Sequence, residues 1–290
     1  MENKLLGRKR KIGEAIVYTS IRIITYLIVI FTAYVIIDII INGLPAISWT
    51  FLTTNPEKSG AEGGIFPAIV GSFYLVTGAM VVALPLGVLS AIYLSEYAKT
   101  NRLTQIIRMT IVTLAGVPSI VFGLFGLGLF VITLDFGASI LSGSLTLACL
   151  ILPTIIVASE EALKSVPQYM REGSLALGAT KWQTIHKNVL PYALPGMLTG
   201  SILTVGRAAG EAAPILLTAA AFFLPELPSS IFDQVMALPY HLYILATQHP
   251  DAQKILPMQY GTALVLLLLV VGLNLTAIIV RMKVRKKYRG

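Results

Sequence analysis

The stretch QYGTALVLLLLVVGLNLTAIIV, residues 259–280, carries no charged side chain. Crossing a bilayer takes about 20 consecutive apolar residues, so this segment reads as a membrane span. Working backwards along the chain, five more stretches meet the same criterion: 16–41, 65–94, 106–134, 138–158 and 193–223. Composition agrees. Of 290 residues, 56% are apolar and 12% charged, whereas an ordinary soluble domain carries about 25% charged residues. Mean hydropathy is +0.79. The expected fold class is an all-α polytopic membrane protein with six transmembrane helices.

A net charge of +8 would suit a nucleic-acid partner if it formed one patch, but it is dispersed in alternate segments. The N-terminus holds Lys4, Arg8, Lys9, Arg10 and Lys11. Lys99 and Arg102 follow the second span; Lys164, Arg171, Lys181 and Lys187 follow the fourth; Arg281, Lys283, Arg285, Lys286, Lys287 and Arg289 follow the sixth. The intervening loops hold only Lys58 and Lys254, so seventeen cations face two. The positive-inside rule then places both termini in the cytoplasm, and no nucleic acid is expected. Asp38 and Arg108, near span ends, are read as snorkelling to the interface.

The N-terminal apolar run follows positive charge, as in a signal peptide, but it is too long and lacks a small-x-small cleavage site. It is read as a retained first span. Cys149 is the only cysteine, and His186, His241 and His249 lie in separate loops. No metal-ligand spacing exists. A membrane enzyme finds no cluster of nucleophile, base and metal to support it.

Spans two to five carry Pro67, Pro85, Pro118, Pro153, Pro195 and Pro214. An interior proline removes a backbone donor and can kink a helix. In GVPSIVFGLFGLG (116–128) the glycines allow two readings: close packing against a neighbouring helix, or an unwound segment lining a pathway. The outer loop at 224–258, with Asp233, His241 and Asp251, is a candidate contact for an external protein.

The loop SEEALKSVPQYMREGSLALGATKWQTIHKNVLP (159–191) is amphipathic and cytoplasmic. Pro167 fits an early helical position. Gly178 fits a C-terminal cap, and Thr180 with Gln183 fits a capping box opening a second helix. Two short helices on the inner face are expected. They would either meet a partner with a groove or lie against lipid headgroups.

This loop resembles the EAA loop of bacterial ABC importer permeases: Glu-Ala-Ala, three residues, Gly, nine residues, Ile, one residue, Leu-Pro. Glu172, Gly173 and Ser174 occupy the triplet, Gly178 the glycine, and Leu190 and Pro191 the end, with Asn188 in place of the isoleucine. EGGIFPAIVGSFYLV (62–76), AIYLSEYA (91–98), GVPSIVFGLFGLGLF (116–130) and GRAAGEAAPILLTA (206–219) look like the permeases of bacterial phosphate-specific transport (Pst) systems, nearer the A-type than the C-type. The resemblance covers residues 42–280. It implies a type I importer permease of MetI-like architecture in the bacterial inner membrane. It also implies a second homologous permease, two copies of a cytoplasmic ATPase, and an extracytoplasmic phosphate-binding protein. No GxxxxGK[ST] occurs in the chain, so no cofactor is expected on it and ATP-Mg belongs to the ATPase. Glu172, Gly173, Ser174, Gly178, Leu190 and Pro191 would form the coupling surface. Three regions follow: 1–64 with the first span and outer loop, a five-span core at 65–281, and a basic tail at 282–290.

Between Lys187 and Glu226 the only charged residues are Arg207 and Glu211. An arginine near a span centre costs about 2.5–3.5 kcal/mol by insertion scales and avoids lipid. In a helix starting at Ala193, Arg207 would lie about 21 Å along the axis. Residues four apart share a face. A guanidinium offers a planar fork that matches two phosphate oxygens, and Glu211 would hold it when the path is empty. Gly206 and Gly210 would admit a neighbouring helix, and Pro214 would free the Gly210 carbonyl as an acceptor. The alternative is an ion pair that only locks two helices. Other oxyanions, molybdate or sulfate, would fit the same arginine, and a stand-alone carrier could use the pair as a relay. A stand-alone carrier, however, has no use for a coupling loop.

Overall fold

The computed structural model describes residues 2–289 apart from Ala61, His249, Asp251, Ala252 and Lys254, without the side chains of 2–13, 15, 16, 59, 284, 285 and 287–289. The basic N-terminal side chains, Lys254 and the loop residues His249 and Asp251 thus fall outside it. In chain order, α1 (Glu2–Gly43) is followed by a 3-10 turn and α2 (Trp49–Thr53). A two-residue hairpin pairs β1 (Pro56–Glu57) antiparallel with β2 (Glu62–Gly63). Next come α3 (Phe66–Ile92), α4 (Arg102–Leu114), α5 (Ser119–Gly126), α6 (Ile140–Lys164) and α7 (Gln168–Ala176). The chain ends with α8 (Lys181–Thr184), α9 (Leu190–Gly210), α10 (Ala213–Leu216), α11 (Leu238–Thr247) and α12 (Leu256–Arg289). π-helical turns extend α3 through Tyr93–Tyr97 and α5 through Leu127–Thr133, and join α8 to α9 through Ile185–Val189.

Five of these helices, or helix runs, are long and apolar enough to cross a membrane, and α4 with α5 makes a sixth span if the bent pair is counted as one. α6 is the centre. In its most apolar window 67% of residues are buried, whereas in α1 the figure is 0%. Leu147, Leu150, Ile151 and Ile155 of α6 pack on Leu75, Ala79 and Ala83 of α3, with Phe122 of α5 and Ala208 of α9 closing the cluster. Small residues set the approach: a Cβ on Gly126 would collide with the Thr146 side chain of α6. α1 is fastened near its outer end, where the Tyr260 hydroxyl of α12 donates to Asp38 at 3.0 Å and Gly43 meets the Tyr260 carbonyl.

Two expected spans are not continuous helices. The third, 106–134, breaks between α4 and α5 with a bend of 104°. Pro118 disfavours helical geometry at Val117 and has no donor of its own, so it starts α5 instead. The packing reading of the glycines holds at two positions. Gly116 lies in the break, while Gly123 and Gly126 face backbone or side chains of other helices at close range. The fifth span, expected at 193–223, is shifted: helix runs from Lys181 and stops at Gly210. Pro214 does not sit inside it but begins α10. Pro85, Pro153 and Pro195 do lie within helices, whereas Pro67 and Pro118 open them. The basic residues after 281 continue α12 rather than forming a separate tail.

The loop at 159–191 folds as its caps dictate. Pro167 is the N-cap of α7 rather than a residue within it. Gly178, at φ +84, closes α7 in a Schellman motif: its N–H bonds the Leu175 carbonyl at 3.0 Å and the Ala179 N–H reaches back to Ser174 at 3.2 Å. The Thr180–Gln183 capping box is complete.

Candidate translocation site and coupling surface

Arg207 occupies the last turn of α9, and Glu211 is the residue at which the helix ends, with ψ 120. A cation is favoured at that end, where unpaired carbonyls concentrate negative charge. Arg207 Nε lies 3.4 Å from Glu211 Oε1, with the side chains 39% and 19% exposed. Neither terminal guanidinium nitrogen has a protein partner among the described residues. Leu203, Arg207 and Gly210 follow one face of α9 at spacings of four and three. Leu203 and Arg207 are uncovered, and a Cβ on Gly210 would meet nothing within 4 Å. Gly206 does admit a neighbour as expected, the Asn274 amide of α12, but Gly210 does not.

The Gly210 carbonyl is not freed inside a continuous helix, because the helix has already ended. The break itself supplies the polar backbone.

Among the described residues, Glu211 lines a small recess. The recess lined by Ser72, Leu147, Ala208 and Glu211 holds ≈ 10 Å³, about the space of one water. A recess of ≈ 600 Å³ between α3, α6 and Pro228–Ile231 has no charged lining residue. A groove of ≈ 480 Å³ along α3 runs past Val205 and is apolar except for Thr77. Chemistry thus selects the open face at Arg207 over the larger apolar hollows. A guanidinium fork presented there can take an oxyanion only when something else closes the face.

Sequence reading left four polar residues without their partners. Asn274, set in an otherwise apolar run, brings its amide against Gly206. Arg108 and Asp38 do not snorkel: Arg108 Nε lies 2.8 Å from Glu160 Oε1, and Asp38 accepts from Tyr260 and Asn42. Arg171 of α7 pairs with Glu96 at 2.8 Å. For the two arginines the signal was an acidic residue near the end of α6 and in the turn after α3, but each partner is distant in sequence.

The residues expected to couple to an ATPase differ in their surroundings. Glu172, Gly173 and Gly178 are exposed, and a Cβ on Gly173 would meet nothing within 4 Å. A small residue there is not needed by this chain's own packing. Ser174 braces the hairpin by accepting from the Thr184 hydroxyl at 3.0 Å. Leu190 and Pro191 lie half-buried where α9 begins, above buried Ile185 and Val189. Around the exposed triplet stand Tyr169, Leu175 and Trp182, with Leu177 91% exposed. Trp182 stacks on His186 and the Lys181 ammonium covers the Tyr97 ring.

In the loop between α10 and α11, Asp233 accepts from the Ser229 and Ser230 backbone and the Ser229 hydroxyl. Those bonds hold its carboxyl below the usual range. His241 is 3% exposed, and burial lowers its pKa from 6.5 to about 4.

Membrane helices around a broken span, with an uncovered two-helix loop between the fourth and fifth, define an importer permease. The family described as binding-protein-dependent transport system inner membrane component matches residues 83–289, and the chain belongs to that family of ABC transporter permeases. Over 252 residues it is 38% identical to a probable ABC transporter permease protein, YqgI, of Bacillus subtilis (strain 168), covering 82% of this chain and 85% of the relative. Over 242 residues it is 36% identical to the phosphate transport system permease protein PstA 1 of Mycobacterium tuberculosis (strain ATCC 25618 / H37Rv), covering 83% and 77%. The fold resembles a chain of the inward-facing MetNI methionine ABC transporter, with TM-score 0.58 and 19% identity over 76% of this chain and 94% of that one. It also resembles a chain of a bacterial alginate ABC transporter, with TM-score 0.66 and 13% identity over 90% and 92%.

Proposed function

We propose that this chain is the transmembrane permease of an ATP-driven phosphate importer and supplies half of the translocation path. The observation that carries the reading is Arg207: a guanidinium fork free at its outer edge, steadied by Glu211, on an uncovered helix face at a helix break. A monoprotonated phosphate would take the fork through two oxygens and could donate its own proton to the Glu211 carboxylate. A second, homologous permease closes the open stripe of Leu203, Arg207 and Gly210. Similarity to the phosphate transport system permease supports phosphate over molybdate or sulfate.

Below, the exposed triplet and its apolar rim dock in a cleft of a cytoplasmic ATPase, present in two copies, which holds ATP-Mg; this chain binds no cofactor. An extracytoplasmic binding protein delivers phosphate to the side bearing Asp233 and α11. Both termini are cytoplasmic, as the distribution of lysine and arginine supports. Closure of the ATPase pair would then drive the spans between inward-open and outward-open forms.

The test is phosphate uptake by the reconstituted complex carrying Arg207→Gln. Losing charge-assisted bonds should lower uptake by at least about tenfold, with all subunits still co-purifying. Unchanged uptake would remove Arg207 from the path. Competition by arsenate, sulfate and molybdate on the unmodified complex assigns the cargo.

A further inference from the structure

Two arginines from different helices grip the same two chain ends at the cytoplasmic side. Arg171, in the first turns of α7, donates from Nη1 to the Val166 carbonyl at 2.7 Å and from Nη2 to the Leu163 carbonyl at 2.9 Å. These carbonyls lie where α6 runs out of its own donors. The same guanidinium is bidentate to Glu96, with Nη2 at 2.8 Å from Oε1 and Nε at 3.4 Å from Oε2. Glu96 lies in the π-helical turn Tyr93–Tyr97 that ends α3. Arg108 of α4 reaches that turn from another side. Its Nη2 donates to the Leu94 carbonyl at 2.7 Å and its Nε lies 2.8 Å from Glu160 of α6. Lys164 adds a second cation 3.2 Å from Glu160. Glu96 and Glu160 are each 8% exposed and Arg171 15%.

α7 buries no residue fully, and its apolar hold on the membrane helices is Met170 against the cluster of Ile92, Leu163 and Val166. Apolar contact resists separation but is non-directional. A guanidinium that satisfies a carboxylate and two carbonyls at once fixes orientation and register. π turns, moreover, are local irregularities that recur at functional sites. From the gripped turn the connection continues without a gap. Arg108 belongs to α4, α4 bends into α5, and α5 packs through Gly123 on Ala213 and Pro214, beside Glu211.

We infer that Arg171 and Arg108 form a clamp on the α3 π turn and the α6 end that transmits movement of the α7–α8 hairpin to the spans, with Glu96 as its positioning residue. This rests on the hairpin being the ATPase dock. In the resting molecule the clamp makes α7, α3, α4 and α6 move as one body. Without it, a push on α7 is absorbed at the hairpin.

The experiment uses the whole complex in proteoliposomes, with binding protein and inorganic phosphate, and measures phosphate moved per ATP hydrolysed. Glu96→Gln keeps the shape but not the charge; Arg171→Lys keeps the charge but cannot span carboxylate and carbonyls together. In both, the ATPase should still co-purify and hydrolyse, while phosphate moved per ATP falls about tenfold. Glu96→Asp, which retains the carboxylate, should recover part of the ratio. An unchanged ratio in both variants overturns the clamp. So does a parallel loss of hydrolysis and uptake, which marks a merely structural pair. Leu177→Asp on the exposed hairpin is the separate arm: it should release the ATPase. Retention of the ATPase with normal uptake would overturn the docking assignment itself, whatever Glu96 does.

Discussion

Arg207–Glu211 and Arg171–Glu96 are both arginine–glutamate pairs, built to opposite specifications. The first is a single contact at 3.4 Å between residues four apart, on an open face. The second joins segments 75 residues apart in sequence, at 2.8 Å and nearly out of solvent, with two backbone carbonyls accepting further bonds from the same guanidinium. A loose pair with an unused fork can exchange its carboxylate for a ligand. A buried pair whose guanidinium makes four hydrogen bonds cannot, since separating its partners leaves an uncompensated charge. Exposure and spare donors, rather than the presence of opposite charges, distinguish a binding pair from a mechanical one.

That contrast can be broken by measurement. The largest effect on stability is expected at Glu160, whose Oε1 lies 2.8 Å from the Arg108 Nε in an ion pair. Glu160→Ala strands that guanidinium and should cost about 3 kcal/mol or more, read as a fall in the Tm of the purified complex. A loss no greater than that of an exposed variant would show that the inner cluster is not buried in the assembly.

Next in size is a pH effect at His241. Its folded pKa, about 4, is depressed below the ordinary 6.5 by burial. The neutral ring is therefore tolerated and the charged ring is not. Stability is fully present above pH 6.5 and is lost as pH falls toward 4, by up to about 3 kcal/mol. Comparing Tm at pH 7.5 and 4.5 in wild type and His241→Leu checks this; the variant should lose less on acidification.

The smallest effect belongs to Lys58, whose ammonium lies 2.7 Å from Glu62 on the outer loop in full solvent. The Glu62 bond raises its pKa, yet Lys58→Ala should leave Tm unchanged, as exposed pairs contribute little. A clear fall would assign the outer hairpin a larger role.

Much of this architecture was legible in the sequence, because lipid imposes simple rules. Long apolar runs gave four spans near their observed positions. The Thr180–Gln183 box and Gly178 formed the caps their chemistry favours. Both departures occur where backbone continuity is decided by neighbours rather than by hydropathy. Pro118 looked like a tolerable kink until α5 turned 104° from α4, and the apolar residues after Gly210 concealed a helix end at Glu211. Arg207 and Glu211 were visible as isolated charges. Glu96, Arg108, Glu160 and Arg171 were visible only as ordinary ends of segments, because pairing across many residues leaves no local period.

The termination of α9 at Gly210 has a final consequence for where hydrocarbon can reach. Past that point the chain holds one short helix and a meandering stretch to Ala237, whose amides are not all consumed by regular ladders. Acyl chains offer such groups no hydrogen bond, so non-helical backbone survives at membrane depth only against protein or water. In the assembly proposed above, the second permease covers this flank, so that its spare amides meet protein rather than acyl chains.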